Sequence, residues 1–391
     1  MLPPEDEPHG PGPKRVLILS GEMGEGHNAA AAALTEAIGE VWPTTLVETF
    51  DTLALGGPKF SKTLSWGYEV QMRLLPRTYE FFYYWLCRSM WIGDLSKSML
   101  GSFFGRRLGR FLTNRPADLV ISVYPFGSAA LDWLRRTSRM YVPSVTYVPA
   151  FHVHPMWAYT EIDQHHVMYD TAPDHACTKG FTETMHVGAP PVTSRFGTAT
   201  KEQARERLGL SPDAFIMLLT GGAWGLGGIS DAVEALVGSD IDVQLLAVCG
   251  RSTQLLEHLE ALNAPEDRLK TYGYVKNMHE LMAAADVVLT NGAGVTVLEA
   301  LRTPRPVIAF KPLAGHGKAS TDEMMRRELA LEAHTVQELV SVVRKLSTDQ
   351  VLMARMTHAG QRWSEGRDLR ESVREMETLF ANAGAAVVLS N

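Results

Sequence analysis

Two glycine-rich turns, each following a short apolar run, are where this 391-residue sequence could do chemistry. The first is Gly21-Glu22-Met23-Gly24-Glu25-Gly26-His27, after Val16-Leu17-Ile18-Leu19-Ser20. Its glycines permit tight turning and close backbone approach, and the N-terminus of a following helix favours an anion. His27 has two readings. It caps the helix, or it is a general base in a cleft, because a neutral imidazole near pH 7 accepts a hydroxyl proton. A dinucleotide fingerprint would place Gly where His27 stands, although Glu48 falls near the position of its ribose-binding acid.

The second turn is Asn291-Gly292-Ala293-Gly294, between Val287-Val288-Leu289-Thr290 and a helix starting near Val295. Exposed amides there suit a diphosphate, with the Thr296 hydroxyl as a further donor. Glu299 lies one turn in, placed to accept from both ribose hydroxyls. Thr296-x-x-Glu299 also fits a capping box, which would make both residues structural. Pro312-Leu313-Ala314-Gly315-His316 forms a loop after the next apolar run. A further glycine-rich loop, 221–228, carries Gly222.

Strands and helices must hold these turns. Apolar runs at 16–20, 45–50, 118–123 and 144–148 read as buried parallel strands, with an Ala-rich helix over 28–39. The pattern restarts with strands at 214–220, 243–248, 287–290 and 306–310 and a helix at 229–237. Strand and helix in alternation predict an α/β fold of two Rossmann-like domains, 1–190 and 191–371. Gly188-Ala189-Pro190-Pro191 reads as a hinge, because proline restricts the chain there. A C-terminal helix at about 372–391 is expected to pack on the first domain. Two such domains place ligands in the cleft between them.

Composition narrows the partners. Lys and Arg number 37 against 44 Asp and Glu, a net charge of -7, which argues against nucleic acid. Cys87, Cys177 and Cys249 are too few and too scattered for a disulfide framework or a thiolate zinc site. Neither a signal peptide nor a run of about 20 apolar residues is apparent. Six of the 13 histidines fall between His152 and His186, with no familiar zinc-ligand spacing. No metal is expected. Residues 60–111 carry 13 aromatics and a local charge of +5, leaving -12 for the remainder. Interfacial Trp with Arg is the composition that binds anionic lipid surfaces. Trp66, Trp85, Trp91, Arg106, Arg107 and Arg110 are the candidates, about half of the aromatics being expected as helix core.

The chain resembles the monogalactosyldiacylglycerol synthase and processive diacylglycerol glucosyltransferase family, of the GT-B fold. The residues that carry the resemblance in the first half are Gly24-Glu25-Gly26-His27-Asn28, Arg115-Pro116-Ala117-Asp118, and Phe151-x-x-His154-x-x-Trp157 with Asp163. In the second half they are Gly221-Gly222, Gly273-Tyr274-Val275, Asp286 and Gly294-x-Thr296-x-x-Glu299.

The resemblance implies metal-independent, inverting transfer of a hexose from a UDP-sugar co-substrate to a lipid or amphiphilic hydroxyl. His27 is then the base and Glu299 the ribose ligand. Gly222, Gly294 and Thr296 meet the diphosphate, and the backbone at Tyr274 and Val275 reads uracil. Gly26 and His316 border the donor, while His154 and Trp157 border the acceptor. The protein is expected in the cytoplasm, peripheral on the inner membrane face. Pro149-Ala150 replaces the family's Thr-Asp, Asn291-Gly292-Ala293-Gly294 replaces Lys-Pro-Gly-Gly, and His316-Gly317 replaces a sugar-reading Gln-Glu. Transfer to a soluble natural product and UDP-sugar 2-epimerisation are the alternatives.

Overall fold

A computed structural model describes residues 12–22, 25–74, 78, 81, 90–169, 181–225, 227–292 and 294–380. Twelve strands among them form two sheets. The first holds β1 (Arg15–Ser20), β2 (Leu46–Asp51), β3 (Leu119–Ser122), β4 (Ser144–Tyr147), β5 (Gln164–Val167) and β6 (Met185–Val187), in the order β2-β1-β3-β4-β5-β6. The second holds β7 (Ile216–Thr220), β8 (Gln244–Val248), β9 (Leu269–Tyr272), β10 (Val287–Thr290), β11 (Val307–Phe310) and β12 (Ala330–Ala333), ordered β12-β11-β10-β7-β8-β9. Every ladder is parallel.

Parallel sheets with both faces covered need continuous apolar strands, and β3, β7, β8, β10 and β11 are buried throughout. The helices of the first half are α1 (Gly26–Val41), α2 (Pro58–Leu74), α3 (Met90–Asn114) and α4 (Pro125–Arg136). Those of the second are α5 (Lys201–Leu208), α6 (Ile229–Val237), α7 (Thr253–Glu260), α8 (Met278–Ala284), α9 (Val295–Arg302), α10 (His316–Arg326), α11 (Val336–Thr348), α12 (Gln350–Ser364) and α13 (Leu369–Glu375). Small residues Ala30, Ala33 and Ala37 let α1 lie close over its sheet, with Leu34 and Ile38 fully buried.

Three aspartates that carried the family resemblance hold strands rather than ligands. Asp118 accepts from the Arg15 amide, Asp163 from the Ser144 amide and Asp286 from the Ile216 amide. Each pins the start of a neighbouring strand. Glu48 is ion-paired with Arg115 at 2.5 Å and Arg15 at 3.8 Å, and does not line the central cavity, so it is no ribose ligand.

The chain returns to the first sheet after α12. Helix α13 packs on α1, Trp42 Nε1 donates to Glu377 at 3.0 Å, and Gln164 Nε2 donates to Thr378 at 3.1 Å. The predicted continuation beyond 380 lies outside the described residues. Among the described residues, no helix is long and apolar enough to cross a membrane.

Candidate active site

The C-terminal ends of both sheets face one cavity of about 990 Å³. In each sheet the strand order reverses next to its first strand, between β1 and β3 and between β7 and β10. Such a reversal splays the two following loops apart and leaves a crevice at the strand ends. The turn carrying His27 and the loop after β3 flank the first crevice. Gly222 and the turn before α9 flank the second.

His27 sits in the first turn of α1 but points into the cavity. The helix N-cap is Glu25, so His27 is not the cap. Its Nδ1 lies 2.7 Å from the Val123 carbonyl. A carbonyl only accepts, so Nδ1 carries the proton and Nε2 keeps its lone pair. The ring packs edge-on to Tyr124 at 5.0 Å and 6.2 Å from Trp157. Burial among these rings lowers its pKa to about 4, against a raising effect of the Val123 bond. The resting imidazole is therefore neutral, the form that takes a proton.

Opposite stands the N-terminus of α9. Its N-cap is Gly294, at φ 74° and ψ −167°, a region open essentially to glycine. With Gly294 at the cap, Thr296 and Glu299 are two and five residues into the helix. A capping box needs them at the cap and three residues later, so it does not form. Both line the cavity instead. Burial without a charged partner raises the Glu299 carboxyl to about 7. The two helix starts nearly touch: a methyl group on Gly26 would lie 3.7 Å from the Val295 amide nitrogen.

Tyr274, Val275 and His316 line the wall contributed by the second half of the chain, and His154 and Trp157 the wall beside His27. Tyr274 is half exposed, with the Arg251 guanidinium 4.9 Å from its ring. His316 begins α10 and is held near pKa 4 by burial, then by the nearby His27 and His152. His154 Nδ1 accepts from the Met156 amide at 3.1 Å, shaping the 3-10 turn Pro155–Trp157.

Residues 27–189 match the Monogalactosyldiacylglycerol (MGDG) synthase family, and residues 200–363 match Glycosyl transferases group 1. A processive diacylglycerol beta-glucosyltransferase of Bacillus subtilis (strain 168) is 27% identical over 350 residues, covering 88% of this chain and 89% of that protein. MurG of Acinetobacter baumannii superposes with a TM-score of 0.56 at 13% identity, covering 93% of this chain and 99% of its own. MnaA of S. aureus, solved with UDP, gives 0.61 at 13% identity, covering 94% and 97%. The chain is a glycosyltransferase of the GT-B fold.

The glycosyltransferase's cleft gathers eleven of the predicted site residues: Gly26, His27, His154, Trp157, Gly222, Tyr274, Val275, Gly294, Thr296, Glu299 and His316. The described members of the aromatic and basic group, Trp66, Arg106, Arg107 and Arg110, do not line it. Trp66 on α2 and Phe81 are 66% and 63% exposed, while Phe104 is fully buried against Phe60 and Phe103. On α3, Arg106 stacks over Trp133 at 5.9 Å and Arg107 over Phe103 at 3.9 Å; Arg110 is exposed. None of the three arginines lines the cavity. Trp85 and the side chain of Trp91 lie outside the described residues.

Of the clustered histidines, His165 and His166 are buried within β5, and His175 falls outside the described residues. Among the described residues, no three His, Cys, Asp or Glu side chains are grouped to hold a metal ion. Sequence reasoning did not single out Trp224, Arg195 and Lys276, which also line the cleft. A tryptophan set among the glycines of 221–228 was the available signal for the first.

Proposed function

We propose that this glycosyltransferase moves a hexose from a UDP-sugar to a hydroxyl of a diacylglycerol-type or similar amphiphilic lipid, with inversion. The reading rests on one observation: a histidine whose Nδ1 is held by a backbone carbonyl turns Nε2 and its lone pair into a cavity that the N-terminus of α9 also lines. The name of the B. subtilis relative supports the acceptor class, and the UDP bound to MnaA supports the donor.

In this mechanism the acceptor hydroxyl gives its proton to His27 Nε2 as its oxygen attacks the anomeric carbon. The bond to the diphosphate breaks on the opposite face, and its electron pair leaves with UDP. The negative charge develops beside the α9 amides and the Thr296 hydroxyl, fixed dipoles that need no reorganisation. A metal ion is not required on this account. Gly222 approaches the diphosphate, Tyr274 and Val275 flank the base, and ionised Glu299 accepts from the ribose hydroxyls. His154 and Trp157 border the acceptor. Exposed Trp66 and Phe81, with Arg106, Arg107 and Arg110, bring the protein onto an anionic membrane face.

The test is turnover of UDP-glucose, UDP-galactose and UDP-N-acetylglucosamine with diacylglycerol in mixed micelles. His27→Ala should lower kcat by about 10²–10⁴-fold, the range of general base catalysis, and chelation of metals should change nothing. Turnover unaffected by His27→Ala removes the base; loss on chelation removes the metal-free account. UDP-sugars incubated alone should yield only slow hydrolysis. An epimerised sugar would make the enzyme a 2-epimerase instead. Failure to co-sediment with anionic vesicles sinks the membrane assignment and favours a soluble acceptor.

A further inference from the structure

One ion pair crosses the cleft at the turn that carries His27. Arg251, in the loop after β8, reaches Glu25 Oε1 at 2.5 Å. Both ends of the pair are anchored. The Arg251 amide donates to the Ala223 carbonyl at 2.8 Å, tying it to the glycine-rich loop, and its guanidinium lies over Tyr274. Glu25 Oε2 accepts from Asn28 Nδ2 at 3.3 Å, and Asn28 Oδ1 accepts from the Ser20 hydroxyl at 2.7 Å.

The contacts thus run from the nucleotide side, through Arg251 and Glu25, to both residues flanking Gly26-His27. The side chains of Arg251 and Glu25 are 58% and 31% exposed. A pair this exposed adds little to stability, so its consequence is geometric. A misplacement of about 1 Å at a reacting group lowers the rate by about 10²-fold.

We propose that Glu25 and Arg251 are positioning residues, a cross-cleft strut through which a nucleotide held against Tyr274 keeps the His27 turn in register. The inference rests on the donor reading above and adds a coupling between donor occupancy and base alignment. An ordered base beside Tyr274 restricts the Arg251 guanidinium. That fixes Glu25, and with it the first turn of α1.

Hydrogen exchange of the full chain with and without UDP tests this. In the wild type, UDP should slow exchange over residues 20–31 and over 287–302. Glu25→Gln and Arg251→Gln should each lose the slowing at 20–31 and keep it at 287–302, with UDP affinity changed by less than about threefold. Each should lower kcat by about 10–100-fold with little change in donor KM, and the reversed pair Glu25→Arg with Arg251→Glu should recover most of it. Slowing at 20–31 that persists in both single variants overturns the strut, as does a reversed pair no better than the singles. No slowing at either segment in the wild type overturns the nucleotide reading itself, and the strut with it.

Discussion

One backbone atom sets the tautomer of His27. The Val123 carbonyl fixes the proton on Nδ1, and burial keeps the ring neutral down to about pH 4. Glu299 is displaced the other way, to about 7. Donor kcat/KM should therefore fall below about pH 7 as Glu299 protonates, and break again near pH 4 as His27 does. Glu299→Gln should abolish the upper break. A single break near 6.5, unchanged in that variant, would contradict both assignments.

Glu299→Ala should also weaken UDP binding about 10–100-fold, as expected for lost hydrogen bonds to a charged group, and calorimetry reads this directly. The same carboxyl burdens the free protein. Its folded pKa of about 7 lies above the ordinary 4.5, so it lowers stability progressively as pH rises from 4.5 to 7, and fully above that. Glu299→Gln should raise Tm at pH 8 and leave it nearly unchanged at pH 4, where both states are mostly protonated. An equal effect at the two pH values would show that the charge is not responsible.

At the scale of elements, the site is two helix starts facing each other. Gly294 sets the direction of α9, and a Cβ there meets backbone strain rather than a neighbour. Gly294→Ala should reduce folding stability by about 1–3 kcal/mol and weaken UDP binding together. Urea unfolding and titration check the pair; loss of stability with full affinity would place the diphosphate elsewhere. The central strands were readable as apolar runs because both their faces are covered. Strands β5, β6, β9 and β12 were not, since Gln164, His165, His166, His186, Lys270 and Glu332 break the pattern. Their place is set by pairing with an existing sheet edge, which no local composition reports.

Over the whole molecule, buried histidines set the acid limit. Burial holds His165 and His166 at about 3, and His27 and His316 at about 4, against an ordinary 6.5. Between those values the unfolded chain binds more protons, so their contribution is complete above pH 6.5 and shrinks as pH falls. Glu299 and Glu375, both raised, act in the opposite sense. The four histidines should dominate, and the urea midpoint should drop between pH 7 and pH 4.5. A midpoint that is flat or rises on acidification would show these rings are not held neutral. The crossing of the chain at α13 belongs to this scale too. Its Trp42, Gln164 and Ala189 contacts join segments more than 180 residues apart.

The candidate residues were legible in the sequence because they sit on glycine turns after apolar strands, in the order of the family that the chain resembles. That reading supplied the two-domain α/β fold, the His27 turn and the α9 turn. Only the tertiary structure removed the capping readings of His27 and of Thr296 with Glu299. Capping depends on which residue takes the cap conformation, and the backbone gave that place to Glu25 and Gly294. It also separated Asp118, Asp163 and Asp286, which pin strands, from Glu299, which faces the cleft. The type of a carboxylate does not reveal its partner; the strand start or open cavity in front of it does.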